Sequence, residues 1–151
     1  MDLEQVIQMT STTSDIEIRE AFLEDVSFIF ATWLRSYRHS SSFAKKISNE
    51  IYYARHHLVI DLILKREGSK VLVAHPKGEP DVILGYVVIE KQLDGADVCH
   101  YTYVKKSFRQ MGIASALWKV FDKKDYTITH YTTDADWLVK KYNLTYDPYR
   151  I

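Results

Sequence analysis

The sequence predicts a mixed α+β domain, in which helices flank a central, mostly antiparallel sheet. Apolar and charged residues alternate over residues 16–19, as in a half-buried strand. Between Val26 and Tyr37 the apolar residues recur at helical spacing. Three strand-like segments then follow one another with short connections, which favours an antiparallel meander. The predicted order of elements is β-α-α-β-β-β-α-β-α-β.

Length and composition indicate a single domain and exclude several classes of protein. The chain has 151 residues, of which 46% are apolar, with 20 basic and 20 acidic side chains. Balanced charge argues against a nucleic-acid partner, and no apolar run approaches the ~18 residues of a membrane span. Residues 1–14 resemble a flexible polar leader rather than a secretory signal, and residues 15–151 form the predicted domain. With the lone Cys99, these features predict a cytoplasmic protein.

The first half of the chain gives two helix signals. A helix is predicted over residues 23–37, which ends before the serine cluster at residues 40–42. A second helix is predicted over residues 49–67, because Ser48 or Asn49 can cap its first amides.

The second half alternates strands and helices. Strands are predicted over residues 71–74, 82–89 and 98–104, and a helix begins near Gly112. A further strand is predicted over residues 126–132. A sequence similar to a capping box at residues 133–136 then starts a last helix through Tyr142, and residues 144–151 leave room for one short strand.

The segment from Val104 to Ser115 carries the strongest chemical signal. A strand runs into a basic loop that contains Arg109, and small residues then open a helix. Gly112 and Ala114 allow a phosphate to approach the backbone, and free amides at a helix start attract anions. The common phosphate loops GxxxxGK[ST] and GxGxxG are both absent.

This segment also resembles a known family. Arg109-x-x-Gly112-x-Ala114 is similar to the pyrophosphate-binding (Q/R)xxGx(G/A) motif of the GNAT superfamily of N-acetyltransferases. Val104 at the strand end, Phe108 before the arginine, and the order of elements over residues 15–144 extend the resemblance. It implies the GNAT fold, acetyl-CoA as co-substrate, and direct acetyl transfer to a primary amine of a small molecule or protein.

The resemblance assigns residues to the acetyl-CoA. The thioester would lie between the strands at 98–104 and 126–132, where an amide near Val104 polarises its carbonyl. Amides of residues 110–114 would hold the pyrophosphate. The expected cofactor-binding residues are Val104, Arg109, Gln110, Met111, Gly112, Ile113 and Ala114. No metal is expected, because the pair His56-His57 lacks the i, i+4 spacing of helical ligands.

The general acid is less well marked. GNAT enzymes often place a tyrosine in the fourth helix, but Val139 occupies the corresponding position here. Tyr142 lies about one helical turn later and is the candidate acid, with Tyr131 and Tyr146 as alternatives.

Three residues are candidates for the general base. His100 and His130 flank the expected cleft, and Glu90 ends the third predicted strand, over residues 82–89. Cys99 points away from His100 and is interpreted as a buried structural thiol rather than a nucleophile.

Two departures from the family keep a second function open. Val139 replaces the usual tyrosine, and residues 144–151 are too short for the two-stranded hairpin that ends most GNAT proteins. The alternative is a non-catalytic GNAT-like module that binds CoA or a protein. A partner subunit that completes the sheet edge, as in a homodimer, would also explain the short C-terminus.

Overall fold

A single sheet organises the part of the chain that the computed structural model describes, namely residues 15–109, 111–119 and 125–151. The leader predicted over residues 1–14 lies outside these residues. The six strands follow one another across the sheet in sequence order. They are β1 (Ile16–Glu20), β2 (Ser69–Pro76), β3 (Gly85–Lys91), β4 (Asp97–Val104), β5 (Thr127–Ile128) and β6 (Thr145–Tyr146).

The sheet is mostly antiparallel, as predicted. Strands β1 to β4 pair antiparallel, whereas β4 with β5 and β5 with β6 pair parallel. A parallel pair of strands needs a long crossover connection. Between β4 and β5 this connection is the segment with the helix predicted to begin near Gly112.

Five α-helices are present in the described residues. They are α1 (Val26–Ser40), α2 (Ser42–Lys45), α3 (Asn49–Lys65), α4 (Ile113–Lys119) and α5 (Asp136–Tyr142). Ser48 caps α3 as predicted, since its side chain accepts a hydrogen bond from the amide of Ile51. The helix expected from residue 23 begins instead with a single 3-10 turn and becomes α-helical at Val26.

Helices cover both faces of the sheet. Helices α1 and α3 pack on one face, where Trp33, Ile60 and Tyr86 are fully buried. Helices α4 and α5 pack on the other face, around Leu84 and Leu117. The central strands are therefore buried on both sides, which explains the continuous apolar run over residues 82–89 that predicted β3.

The strand expected over residues 126–132 is much shorter in the structure. It covers only Thr127–Ile128, because the residues that follow direct polar side chains into buried hydrogen bonds and leave the sheet. The cap of the next turn is Thr132 rather than Thr133, since the Thr132 side chain accepts from the amide of Ala135 at 3.1 Å.

We expect Gly85→Ala to destabilise the protein, because β3 passes very close to the end of β4 and the start of α4. A Cβ atom on Gly85 would lie 2.5 Å from the carbonyl oxygen of Tyr103 and 3.2 Å from Cγ2 of Ile113. Overpacking of this kind costs about 1–3 kcal/mol. Urea denaturation measures the loss, and Lys91→Ala at the exposed end of β3 is the control. Equal stability of Gly85→Ala and wild type would contradict this packing.

Candidate functional site

Strands β4 and β5 part after two paired positions. Val98 pairs with Thr127 and Cys99 with Ile128, where the register between these strands ends. On the other edge of β4 the register skips His100, because the residues on either side of it pair with consecutive residues of β3. Such a bulge bends a strand and increases its twist. The bend at His100 therefore directs β4 away from β5.

A cavity of about 700 Å³ fills the space between the diverging strands. Residues 99–104 of β4, Arg109 and residues 112–115 line one side of it. Residues 132–138 line the other side, and Ser36 and Ser40 of α1 close one end. Its volume is in the usual range of small-molecule and cofactor sites.

Most of the cofactor-binding residues expected from the motif are in the wall of this cavity. Val104, Arg109, Gly112, Ile113 and Ala114 line it. Gly112 has a φ of 81°, a left-handed conformation that favours glycine.

The remaining two residues of that set are placed differently. Met111 packs against the core cluster on the α4 side of the sheet and is not in the cavity wall. Gln110 lies outside the described residues.

The backbone of Val104 faces the cavity. The amide of Lys105 donates to the carbonyl of Leu84, the residue just before β3, at 2.9 Å. Because successive residues of an antiparallel strand direct their amides to opposite edges, the amide of Val104 points to the edge that β5 has left. On the same edge, Nε of Arg109 donates to the carbonyl of Val104 at 3.3 Å. An N–H group directed at a cleft can stabilise a developing negative charge.

Arg109 also crosses the mouth of the cavity. Its Nη1 atom lies 3.4 Å from Oδ2 of Asp134, in the 3-10 turn Thr133–Ala135 that precedes α5. Both side chains are about half exposed, so this ion pair is weak and a ligand anion can replace it.

The structure brings two of the three predicted base candidates, His100 and Glu90, into direct contact. Nε2 of His100 lies 2.7 Å from Oε1 of Glu90, and the His100 side chain is fully buried. Arg66 approaches the same carboxylate oxygen at 3.1 Å. Burial lowers the pKa of His100, and the Glu90 carboxylate only partly opposes this effect. Burial would raise the pKa of Glu90, but hydrogen bonds from His100, Gln92 and Arg66 outweigh it and leave that pKa below its ordinary value.

The hydrogen bonding continues beyond this pair. Nδ1 of His100 lies 2.8 Å from the hydroxyl of Thr129, which lies 2.9 Å from Nδ1 of His130. Nε2 of His130 then contacts Nε2 of His56 at 2.9 Å. His100 and His130 both line the cavity, as predicted for residues that flank the cleft. Burial lowers the pKa of His56 to about 4 and that of His130 well below its ordinary value.

Two features of the site are not predicted from the sequence: the participation of Thr129 and the buried contact of His56 with His130. The sequence offers His56 only as half of a His-His pair without the spacing of metal ligands, whereas in the structure its ring stacks between Tyr37 and Tyr52 and contacts His130. No local pattern marks Thr129, because its partners lie far away in the sequence. The buried face of α3, which carries Tyr52, His56, Ile60 and Ile63, was the available signal for His56.

The tyrosine candidates for the acid lie around the cavity rather than in its wall. Tyr142 stacks on the cavity-lining Trp118, with ring centroids 5.2 Å apart. The hydroxyl of Tyr131 donates to Asp136, and Tyr146 packs beside Tyr131. Cys99 is buried, and burial raises the pKa of its thiol to about 12, in keeping with a structural role.

The described residues contain no group of three or more His, Cys, Asp or Glu side chains arranged to hold a metal ion. Among the same residues, no helix is both long and apolar enough to cross a membrane.

Comparison with known proteins identifies the fold. The sequence matches no protein-family model, and no curated protein matches it. Among solved structures, a proposed acetyltransferase from Bacillus subtilis matches with a TM-score of 0.66 and 13% identity, over 85% of this chain and 88% of that chain. A GCN5-related N-acetyltransferase from Ralstonia eutropha matches with a TM-score of 0.61 and 15% identity, over 83% and 90%.

A third similar structure, of a proposed acetyltransferase from Clostridium acetobutylicum, was determined with acetyl-CoA. Its TM-score is 0.55 and its identity 14%, over 84% of this chain and 88% of that chain. Identities this low demonstrate the fold alone. The chain therefore has the fold of the GNAT acetyltransferases, which confirms the fold that the Arg109–Ala114 motif implied.

We expect the stability of the protein to fall between pH 7 and pH 5. The unfolded chain protonates His56 near its ordinary pKa of 6.5, whereas the folded chain does so only at about 4. This contribution to stability is therefore complete above pH 6.5 and is lost as the pH falls towards 4. For His56 alone the loss by pH 5 is about 2 kcal/mol.

Urea denaturation at the two pH values measures this loss. The variant His56→Asn should show a smaller difference between pH 7 and pH 5 than wild type. His57→Asn is the matched control, because His57 is the exposed neighbour on the same helix. If His56→Asn and His57→Asn gave the same pH dependence as wild type, His56 would not be buried in its neutral form.

Proposed function

We propose that the protein is an acyl-CoA-dependent N-acyltransferase, which transfers acetyl from acetyl-CoA to a primary amine. The observation that supports this best is the cavity between β4 and β5, whose wall contains Arg109 and residues 112–115. The GNAT fold and the motif thus meet at one cleft. The proposal of acetyl-CoA as co-substrate rests on analogy with proteins of this fold and on the chemistry of the cleft.

The unpaired edge of β4 is suited to the pantetheine arm of CoA. Beyond Cys99 this edge has no partner in β5, and it faces the cavity. The pantetheine arm contains two amide groups, which can hydrogen-bond to a free strand edge. The pyrophosphate would lie against residues 109–114, where Arg109 can exchange Asp134 for a phosphate oxygen.

In the proposed reaction the acceptor amine attacks the thioester carbonyl carbon directly. A carbon–nitrogen bond forms, the carbon–sulfur bond breaks, and the amide of Val104 stabilises the negative charge on the carbonyl oxygen. The departing thiolate takes up one proton to become the CoA thiol. The attacking ammonium loses two protons overall, so one proton must leave the cleft in each turnover.

Tyr142 stays a prediction as the donor of the thiolate proton. Its ring lies behind Trp118, so a direct role requires the hydroxyl to reach past that ring. The variant Tyr142→Phe keeps the ring stacking and removes only the hydroxyl. A fall in kcat of about 10²-fold would support the acid role. An unchanged kcat would assign Tyr142 to packing.

A non-catalytic CoA-binding module is the second candidate function. The position of Tyr142 outside the cavity wall favours it. Such a module would bind acetyl-CoA without transfer to any amine. Transfer to a polyamine, a lysyl peptide or an amino sugar, followed through release of the CoA thiol, separates it from the enzyme.

We expect acetyl-CoA to raise the melting temperature of the wild-type protein and Gly112→Glu to abolish this shift. Ligand at about 100 times its Kd stabilises the folded state by about 2.7 kcal/mol, which corresponds to several degrees for a chain of this size. A carboxylate at residue 112 repels the pyrophosphate. Each variant is compared with its own ligand-free melting temperature, so that backbone strain at Gly112 cancels.

The control for this experiment is Lys119→Glu, which introduces the same charge at the exposed far end of α4. It should keep the wild-type shift. No shift for wild type with either CoA or acetyl-CoA would contradict the proposed function, and a full shift for Gly112→Glu would contradict the location of the site.

A further inference from the structure

Five buried side chains form one continuous hydrogen-bonded chain through the point where β4 and β5 part. The chain runs His56–His130–Thr129–His100–Glu90, and each successive pair of polar atoms lies 2.7–2.9 Å apart. All five side chains are at most 9% exposed. The five residues come from α3, β3, β4 and the segment after β5, so tertiary folding alone brings them together.

The direction of every hydrogen bond follows from its Glu90 end. Glu90 is ionised, since Arg66 and Gln92 also donate to its Oε1 atom, and it can only accept. His100 therefore donates from Nε2, and as a neutral ring it carries its lone pair on Nδ1. The hydroxyl of Thr129 must donate to that lone pair, so it accepts from Nδ1–H of His130.

The same reasoning places a lone pair on Nε2 of His130. Because His130 donates from Nδ1, its neutral ring accepts at Nε2, where Nε2–H of His56 is the donor. His130 lines the cavity, whereas Glu90 and Thr129 do not. The hydrogen-bonded chain therefore meets the cavity at His100 and His130, and the Nε2 lone pair of His130 accepts from His56, which lies outside the cavity wall.

We propose that His130 is the proton acceptor for the amine in this cleft, and that Thr129, His100 and Glu90 are positioning residues that fix its lone pair on Nε2. This inference rests on the proposed acyltransferase function. The amine takes the place of His56 as the donor to Nε2.

Every proton that moves in this step can be followed along the hydrogen-bonded chain. Nε2 of His130 gains the proton from the amine, and its Nδ1 proton moves to the hydroxyl of Thr129. The original hydroxyl proton moves to Nδ1 of His100. His100 then holds protons on both ring nitrogens, and its positive charge rests beside the carboxylate of Glu90 at 2.7 Å.

Without the hydrogen bonds to Thr129, His100 and Glu90, His130 would be a poor base, because its surroundings disfavour a positive charge. The rings of Trp33, Tyr37 and Tyr101 pack around it, and His56 and His100 are its titratable neighbours besides the tyrosines. The charged groups that face His100 are Glu90 and, beyond it, Arg66. Transfer of the positive charge to His100 places that charge beside the carboxylate of Glu90.

The variants Thr129→Val and Thr129→Ser test the inference as a matched pair. Valine keeps the shape of threonine but interrupts the chain, whereas serine keeps the hydroxyl. With acetyl-CoA and the best acceptor among spermidine, a lysyl peptide and glucosamine, Thr129→Val should lower kcat by about 10- to 100-fold at pH 7. The KM for acetyl-CoA should stay within twofold of wild type, and Thr129→Ser should keep most of the wild-type kcat.

The pH profile distinguishes this role from a structural one. The deficit of Thr129→Val should shrink as the pH rises towards the pKa of the free amine, because an uncharged amine needs less help to lose its proton. A constant deficit at all pH values, or equal kcat for the valine and serine variants, would overturn the inference while the acyltransferase function stands. Loss of the acetyl-CoA-induced melting shift in Thr129→Val would assign Thr129 to the structure of the cleft and would also overturn it.

A second measurement does not depend on activity. Nitrogen-15 NMR of the imidazole rings should show protons on Nε2 of His100 and Nδ1 of His130 in wild type at pH 7. The opposite tautomers, or a doubly protonated His130, would overturn the inference whether or not acetyl-CoA binds. Failure of wild type to bind acetyl-CoA or to transfer acetyl would instead refute the proposed function and, with it, the catalytic role of His130.

Discussion

The bulge at His100 is the constraint on which the site depends. Strand β4 is antiparallel to β3 along its whole length, but it can remain beside β5 only as far as Cys99. Past the bulge, the edge of β4 that faces β5 loses its backbone partners. Buried backbone groups without partners are costly, so this edge must be hydrated or must meet a ligand. A strand edge that leaves its neighbouring strand and faces a cavity is therefore suited to bind a ligand.

Side-chain hydrogen bonds take over where the backbone ladder stops. His100 and Thr129 connect the two strands one residue beyond their last backbone pair, and His130 and Glu90 extend that connection to both sides. An unsatisfied polar group in this interior would cost about 1–3 kcal/mol. Each of these groups has a partner, so the cleft can keep a fixed width next to neutral, titratable nitrogens. The same arrangement is the basis of both the predicted loss of stability at acid pH and the proposed path of the proton.

Much of the fold could be predicted from the sequence, because it depends on local patterns. The alternation in β1, the helical spacing in α1, the Ser48 cap and the motif around Gly112 are all readable within a few residues. The length of β5 could not be predicted in this way. The sequence over residues 126–132 has the composition of a strand, but tertiary contacts of Thr129 and His130 end the strand after Ile128.

The site, too, could be predicted only where it depends on local sequence patterns. The motif located Val104, Arg109 and Gly112 in the cavity wall, since these positions follow from one strand–loop–helix segment. The contact of Glu90 with His100 joins two neighbouring strands, and the contact of His56 with His130 joins residues 74 positions apart in the chain. Only the three-dimensional structure shows such pairs, because no spacing in the sequence encodes them.

The central claim is that the divergence of β4 from β5 forms the binding site for acetyl-CoA. A titration of the nitrogen-15-labelled protein with acetyl-CoA, followed by amide NMR, tests it most directly. The account predicts that the largest shifts belong to the amides of Val104 and residues 112–114, with His130 next. The amides on the outer face of α3 should not move. Shifts confined to other surfaces, or no shifts at saturating acetyl-CoA, would contradict it.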